Sequence, residues 1–175
     1  MIGKVRSALG TCVMAVSLAL GAAPVSAAQL ELNVEIPTLP VAEYHRPYVA
    51  IWIEGADQTI AANLAVWYQT RGDHTKWLPD LRQWWRRGGR DLKVPVDGLT
   101  GATRPVGQHI LKFDAKAEPL AKLAPGKYEL VVEAVREVGG REAVRIPFEW
   151  PIKGAQQGAA RGTEELGAVA LKLNP

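Results

Sequence analysis

The sequence predicts an all-β fold: an immunoglobulin-like antiparallel β-sandwich with one short inserted helix. Three features predict it. Apolar residues recur mainly with a period of two, the signature of half-buried strands. Seven such segments are separated by turn signals drawn largely from the 17 Gly and 12 Pro of the chain. A single stretch, Leu78 to Arg87, changes to helical spacing.

Leu30, Leu32, Val34 and Ile36 alternate with polar residues and form the first expected strand, ended by Pro37 to Pro40. Tyr48 to Glu54 is the second, Glu54-Gly55-Ala56-Asp57 is a turn, and Ala62 to Gln69 is the third. In the helical stretch Pro79 stands near the start, Asp80 in the first turn, and Arg86 and Arg87 in the last, before Gly88-Gly89. Leu81, Trp84 and Trp85 share one face at i, i+3, i+4. His109 to Phe113 resumes the strands. Tyr128 to Arg136 and Arg141 to Trp150 pair as a hairpin through Val138-Gly139-Gly140. The Gly/Ala/Gln-rich stretch 154–162 is expected as a link to a last strand, Ala168 to Leu173.

Residues 1–28 read as a signal peptide, and 29–175 as a single immunoglobulin-like domain. Lys4 and Arg6 precede a short apolar stretch, and Ser26-Ala27-Ala28 offers a small-x-small cleavage site. The apolar stretch is short for a membrane anchor. Cleavage after Ala28 predicts a periplasmic chain. Leu9-Gly10-Thr11-Cys12 has almost no apolar core before it, which argues against lipidation. Cys12 is the one cysteine, so the mature chain has no disulfide, Fe–S cluster or c-type haem attachment. Cleavage removes two of the 21 basic residues and none of the 18 acidic ones, leaving a nearly neutral chain. No basic tract is long enough to suggest nucleic acid as a partner.

Asp97-Gly98-Leu99-Thr100-Gly101-Ala102-Thr103 lies between β-segments, just after the Trp/Arg helix. Gly101 and Ala102 put little bulk beside Thr103 and leave the backbone free. Thr103 offers a hydroxyl. Asp97 and Thr100 are suited to order the loop by side-chain-to-backbone hydrogen bonds. The stretch reads D-x-x-T-G-A-T and resembles the acceptor sequence on which periplasmic flavin transferases place FMN, as a phosphoester on the final Thr. The resemblance implies covalent FMN on Thr103, presented by a protruding, flexible segment with Asp97, Thr100, Gly101 and Ala102 as the rest of the acceptor. The flavin-binding subunits of ion-pumping quinone reductases share the T-G-A-T core. Arg104-Pro105 departs from their pattern and stiffens the segment.

The resemblance extends further. Arg46 to Glu54, Leu64 to Tyr68, Lys76 to Trp85 and Thr100 to Pro105 together look like a family of predicted periplasmic proteins without a functional name, associated with flavin transferases and PepSY-type membrane proteins. It implies a flavin transferase as modifying enzyme and a PepSY-type or other membrane electron-transfer protein as redox partner. A shorter stretch, Leu111 to Asp114 followed by Leu123 to Tyr128, resembles the immunoglobulin-like domain of flagellar hook-capping proteins and speaks to fold alone.

Trp52 and Trp67 lie on strands and are expected in the core. Trp84 and Trp85 are adjacent on a helix and cannot point the same way, so one is expected in the core and the other over the flavin. Tyr68 and Trp77 are weaker flavin contacts. Arg82, Arg86, Arg87 and above all Arg104, which adjoins Thr103, are candidates to neutralise the phosphodiester or the reduced flavin. The alternative for the helical arginines is a solvated helix end complementing its dipole. His45, His74 and His109 show no metal-ligand spacing, so no metal site is assigned. No serine stands in a nucleophile elbow, and no catalytic residue is assigned. The expected protein is a periplasmic flavoprotein that relays electrons between a membrane-bound reductase and another acceptor, a carrier more than a turnover enzyme. The alternatives are a non-redox immunoglobulin-like binding or adhesion module and an accessory protein for metal or haem uptake.

Overall fold

In the computed structural model, which describes residues 28–175, the alternation of Leu30, Leu32, Val34 and Ile36 is strand β1 (Gln29–Ile36), with all four side chains buried. The expected signal peptide, including Cys12, lies outside the described residues except for Ala28. The strands that follow are β2 (Tyr48–Glu54), β3 (Ile60–Tyr68), β4 (Thr100–Ala102), β5 (Gly107–Asp114), β6 (Gly126–Val135), β7 (Arg141–Trp150), β8 (Gln156–Arg161) and β9 (Ala168–Asn174). They form two sheets, in the orders β5-β1-β9-β8 and β4-β3-β2-β6-β7. Neighbours pair antiparallel throughout, except that β3 and β4 run parallel. The expected all-β sandwich is the observed one, and Tyr128 to Trp150 is the expected hairpin.

Two strands exceed the expectation. Residues 154–162 contain β8, which completes the edge beside β9, where a link was expected. Gln, Gly and Ala have little strand propensity; the free edge of β9 supplies the order. Gly158 sits so close to Ile146 that a Cβ would collide with it, which excludes a larger residue there. The second unexpected strand is β4, inside the D-x-x-T-G-A-T stretch.

The inner faces of the two sheets pack Leu30, Leu32, Val169 and Leu171 against Ile51, Ile53, Leu64, Trp67, Leu130 and Val132. The outer face of the five-stranded sheet is apolar too. Ala50, Trp52, Val66, Tyr68 and Val131 are buried there under Leu78, Leu81 and Trp84. A sheet buried on both faces needs continuous apolar strands, which is why β2, β3 and β6 lose the clean alternation that β1 keeps.

The covering segment differs in detail from the single helix expected over Leu78 to Arg87. Thr75–Asp80 is a 3-10 turn containing Pro79, and α1 (Arg82–Arg87) begins only after Leu81, whose ψ of 68° leaves the helical region. Asp80 therefore does not serve the first turn of α1. Its place is taken from across the fold by Glu133 of β6, which accepts hydrogen bonds from the backbone N–H of Gln83 (3.1 Å) and Trp84 (2.9 Å). Burial pushes the Glu133 carboxyl up. The Trp84 and Gln83 N–H groups, Arg141 and Arg87 oppose the shift. A second buried acid, Glu54, accepts from Trp52 Nε1 (3.0 Å), Arg87 Nη1 (2.6 Å) and Arg145 Nη1 (2.9 Å). Gln83 joins this network by accepting from Arg145 Nη2 at 2.8 Å.

Loop 162–167, between β8 and β9, is organised by carboxylates rather than by its own sequence. Glu142 accepts from the N–H groups of Thr163 (2.6 Å), Glu164 (3.1 Å), Glu165 (3.0 Å) and Leu166 (3.0 Å). Burial opposes its ionisation, but these four donors outweigh burial and hold the carboxyl below the usual glutamate range. A lowered folded-state pKa gives stability that is present above the ordinary glutamate value and lost as pH falls through the folded one. Glu142→Ala is therefore expected to lower unfolding free energy by about 1–3 kcal/mol at neutral pH. In urea titrations the gap should narrow at about pH 3, below the ordinary value; a gap that stays constant counts against the assignment. Trp84 is fully buried, and its indole N–H donates to Asn63 Oδ1 at 2.8 Å. Trp84→Phe is expected to cost about 1–3 kcal/mol in the same measurement, because the Asn63 acceptor loses its donor.

Candidate functional site

The acceptor-like stretch is built from a turn and an edge strand. Thr100 Oγ1 accepts from Val96 N–H at 3.0 Å and donates to Val96 C=O at 2.9 Å, closing the turn. Gly98 takes φ 74°, a conformation that favours glycine. Of the two residues expected to order the loop, Thr100 does so. Asp97 is exposed and makes no side-chain hydrogen bond among the described residues. Thr100, Gly101 and Ala102 then lie beside Val66, Trp67 and Tyr68 of β3, and Thr103 N–H donates to Tyr68 C=O at 3.2 Å. The protruding, flexible segment expected for an acceptor is thus corrected to an ordered edge strand. The edge of β3 carries backbone groups that otherwise lack a strand partner, and this segment satisfies them. Its own outer edge bears no further strand.

Gly101 has no steric reason to be glycine within the fold. A Cβ there would stand 3.7 Å from Trp67 Cδ1, an ordinary contact. Thr103 is half-buried, and its hydroxyl has no hydrogen-bond partner among the described residues. Beyond it the chain crosses to the other sheet. The Arg104 guanidinium lies 5.3 Å from the centre of the Trp67 ring, and His109 meets the same ring edge-on at 5.7 Å.

Thr103 lines a cavity of about 850 Å³ at the end of the five-stranded sheet where β2 begins and β3, β4 and β6 end. Tyr44 precedes β2 and Tyr48 opens it, Trp77 and Arg82 come from the covering segment, and Arg136 to Gly140 form the β6–β7 turn before Arg141 opens β7; all of these contribute. Arg46, His45, His74, Asp80 and Gln69 complete the wall with Val135. The volume falls within the range of cofactor and small-molecule sites. Burial raises the pKa of both tyrosines, so both phenols stay protonated and can donate. Tyr48 already donates to His74 C=O at 3.3 Å.

Four arginines and two carboxylates line this space, but the arginines differ in freedom. Arg136 is buried and bound in bidentate fashion by Glu165, at 2.9 and 3.2 Å. Glu165 also accepts from Gly140 N–H at 2.6 Å, so one carboxylate ties the β6–β7 turn to loop 162–167. Arg141 faces Glu133 at 3.9 Å. Arg46 and Arg82 form no ion pair among the described residues. Glu137 lies 3.6 Å from His45.

The other candidates named from the sequence are distributed differently. Trp52 and Trp67 are in the core, as expected. Trp84 is the core member of the adjacent pair, whereas Trp85 is half-buried against the outer apolar layer. Neither lines the cavity beside Thr103; Trp77 does. Tyr68 is buried in the outer layer and meets Tyr48 edge-on at 6.4 Å. Arg87 is held by Glu54, and Arg86 donates to the Arg82 carbonyl at 3.1 Å, so both serve the covering segment. Arg104 stands over Trp67 instead of lining the cavity. Tyr44, Arg46 and Arg141 escaped the sequence reading. They come from a strand approach and a hairpin turn, and no periodic signal marks which loops meet.

No curated protein and no solved structure matches the chain. A family model described as a predicted periplasmic protein matches residues 29–168, nearly the whole described chain, and agrees with the periplasmic location expected from the targeting segment. The chain belongs to this family of predicted periplasmic proteins, DUF2271.

Proposed function

We propose that this protein is a periplasmic electron carrier bearing FMN covalently on Thr103. The observation that supports this reading most is the position of Thr103. It is the residue of the acceptor-like stretch that faces the cavity, and it sits at the end of an edge strand open to an incoming enzyme. A flavin transferase is the modifying partner. Thr103 Oγ attacks the flavin-side phosphorus of FAD, forming an O–P bond. The bond between the two phosphates breaks, AMP leaves, and the hydroxyl proton passes to base. Once attached, the flavin supplies one- and two-electron chemistry. The chain supplies attachment, an aromatic wall and guanidinium groups, and a membrane-bound reductase of PepSY type or another class supplies the electrons. The residues present fit such a group: the cavity is of cofactor size, and its walls carry aromatic faces and hydrogen-bond donors.

Co-expression of the mature protein with a flavin transferase and analysis by intact mass tests the reading. The expected result is one FMN adduct, absent in Thr103→Ala. An unmodified mass, or an adduct surviving that substitution, overturns it and leaves the cavity to a non-redox binding module. Gly101→Ala is expected to fold normally, since its Cβ meets only ordinary contacts, yet to load at least several-fold more slowly. The added methyl stands two residues from the nucleophile, in the segment a transferase must accommodate. Urea midpoint and time-resolved mass separate the two effects.

A further inference from the structure

We infer that the cavity beside Thr103 is a built seat for the flavin ring, in which Trp77 and Tyr44 contact the ring and Arg46 and Arg82 hold the charge it gains on reduction. This deepens the flavin reading above and rests on it. What it adds is that the ring is packed rather than free on its tether, and which side chains pack it.

Three observations carry the inference. The first is where the exposed apolar side chains are. Six large hydrophobic residues are exposed among the described residues, and three of them, Tyr44, Trp77 and Val138, line this one cavity. Trp77 is 51% exposed although its neighbour Leu78 is buried in the layer over the sheet. An indole so exposed does little for the core, and such clustering marks a binding surface. Lys76 Nζ lies 5.6 Å from the centre of its ring, a cation–π contact that orients it.

The second observation is the charge. Glu165 and Glu133 engage Arg136 and Arg141, but Arg46 and Arg82 have no carboxylate partner among the described residues. Asp80 and Glu137 also line the space and match Arg46 and Arg82 in number, but neither forms an ion pair with them among the described residues, so the two guanidinium groups remain free to meet an added negative charge. Two-electron reduction with uptake of one proton leaves a flavin ring with one negative charge. Unpaired guanidinium groups favour that state and raise the potential. The third observation is the attachment point: Thr103 lines the same cavity.

The test uses protein loaded by co-expression with a flavin transferase, its modification at Thr103 verified by mass. Flavin fluorescence per mole is compared before and after protease digestion, and the midpoint potential is read in a dithionite titration. The intact protein is expected to be several-fold dimmer than its digest, because indole and phenol rings in contact quench flavin emission. Trp77→Ala is expected to recover most of that emission with an unchanged urea midpoint, which separates loss of contact from unfolding. Arg82→Gln is expected to stay dim. It should lower the preference for the reduced ring about tenfold, or about 30 mV for a two-electron couple. Val106→Ala, exposed and outside the cavity, should change neither readout. Equal emission before and after digestion of the native protein, or a Trp77→Ala protein as dim as native, overturns the seat while leaving attachment intact. An unmodified Thr103 is seen by mass first and overturns both readings.

Discussion

The outer face of the five-stranded sheet is as apolar as its inner face, and covering it governs much of the rest of the molecule. Trp52, Val66, Tyr68 and Val131 would otherwise meet water on a surface that no second sheet shields. The segment from Thr75 to Asp91 supplies the cover through Leu78, Leu81 and Trp84. A helix of six residues is too short to be stable alone, so its order comes from that packing and from Glu133, a sheet residue that satisfies the N–H groups of its first turn. Glu54, Arg87, Arg145 and Gln83 close the polar side of the same contact. Two buried acids are costly unless they are paired and hydrogen-bonded; here the bonds of Glu133 to Gln83 and Trp84, of Glu54 to Arg87 and of Arg145 to Gln83 join the cover to the sheet, while Arg145 and Trp52 hold Glu54 from within the sheet.

That arrangement also positions the candidate site. The cover brings Trp77 and Arg82 to one end of the sheet. The parallel pairing of Thr100–Ala102 with β3 brings Thr103 to the same end, and the β6–β7 turn arrives there because β6 runs antiparallel to β2. Glu165 locks Arg136 and Gly140 of that turn, so one side of the cavity is braced from the opposite sheet. The wall is therefore made of segments far apart in the chain, each held by contacts that have nothing to do with a ligand.

Much of the fold is legible in the residues. Leu30, Leu32, Val34 and Ile36 state a strand with one buried face, and Tyr128 to Trp150 state a hairpin, because period and turn chemistry are local properties. β8 was not legible, since Gln156 to Arg161 order only against the edge that β9 offers. β4 was hidden for the same reason: Thr100, Gly101 and Ala102 carry no strand pattern, and their pairing is a property of β3. The aromatic pair misled in an instructive way. Helical spacing correctly sent Trp84 inward, but spacing is silent about which neighbour looks toward Thr103. Trp77, in the 3-10 turn, lines the cavity that Thr103 lines.

The residues alone state the sandwich, the family, and a threonine preceded by two small residues in an acceptor-like stretch. These depend on periodicity and on short-range residue identity. The tertiary structure decided that the stretch is an edge strand, that Thr103 faces a cavity, and that Arg46 and Arg82 are left without acidic partners while Arg87 is not. Those outcomes depend on which unpaired edge and which apolar face the chain had to cover, and both are set by the packing of the whole sheet.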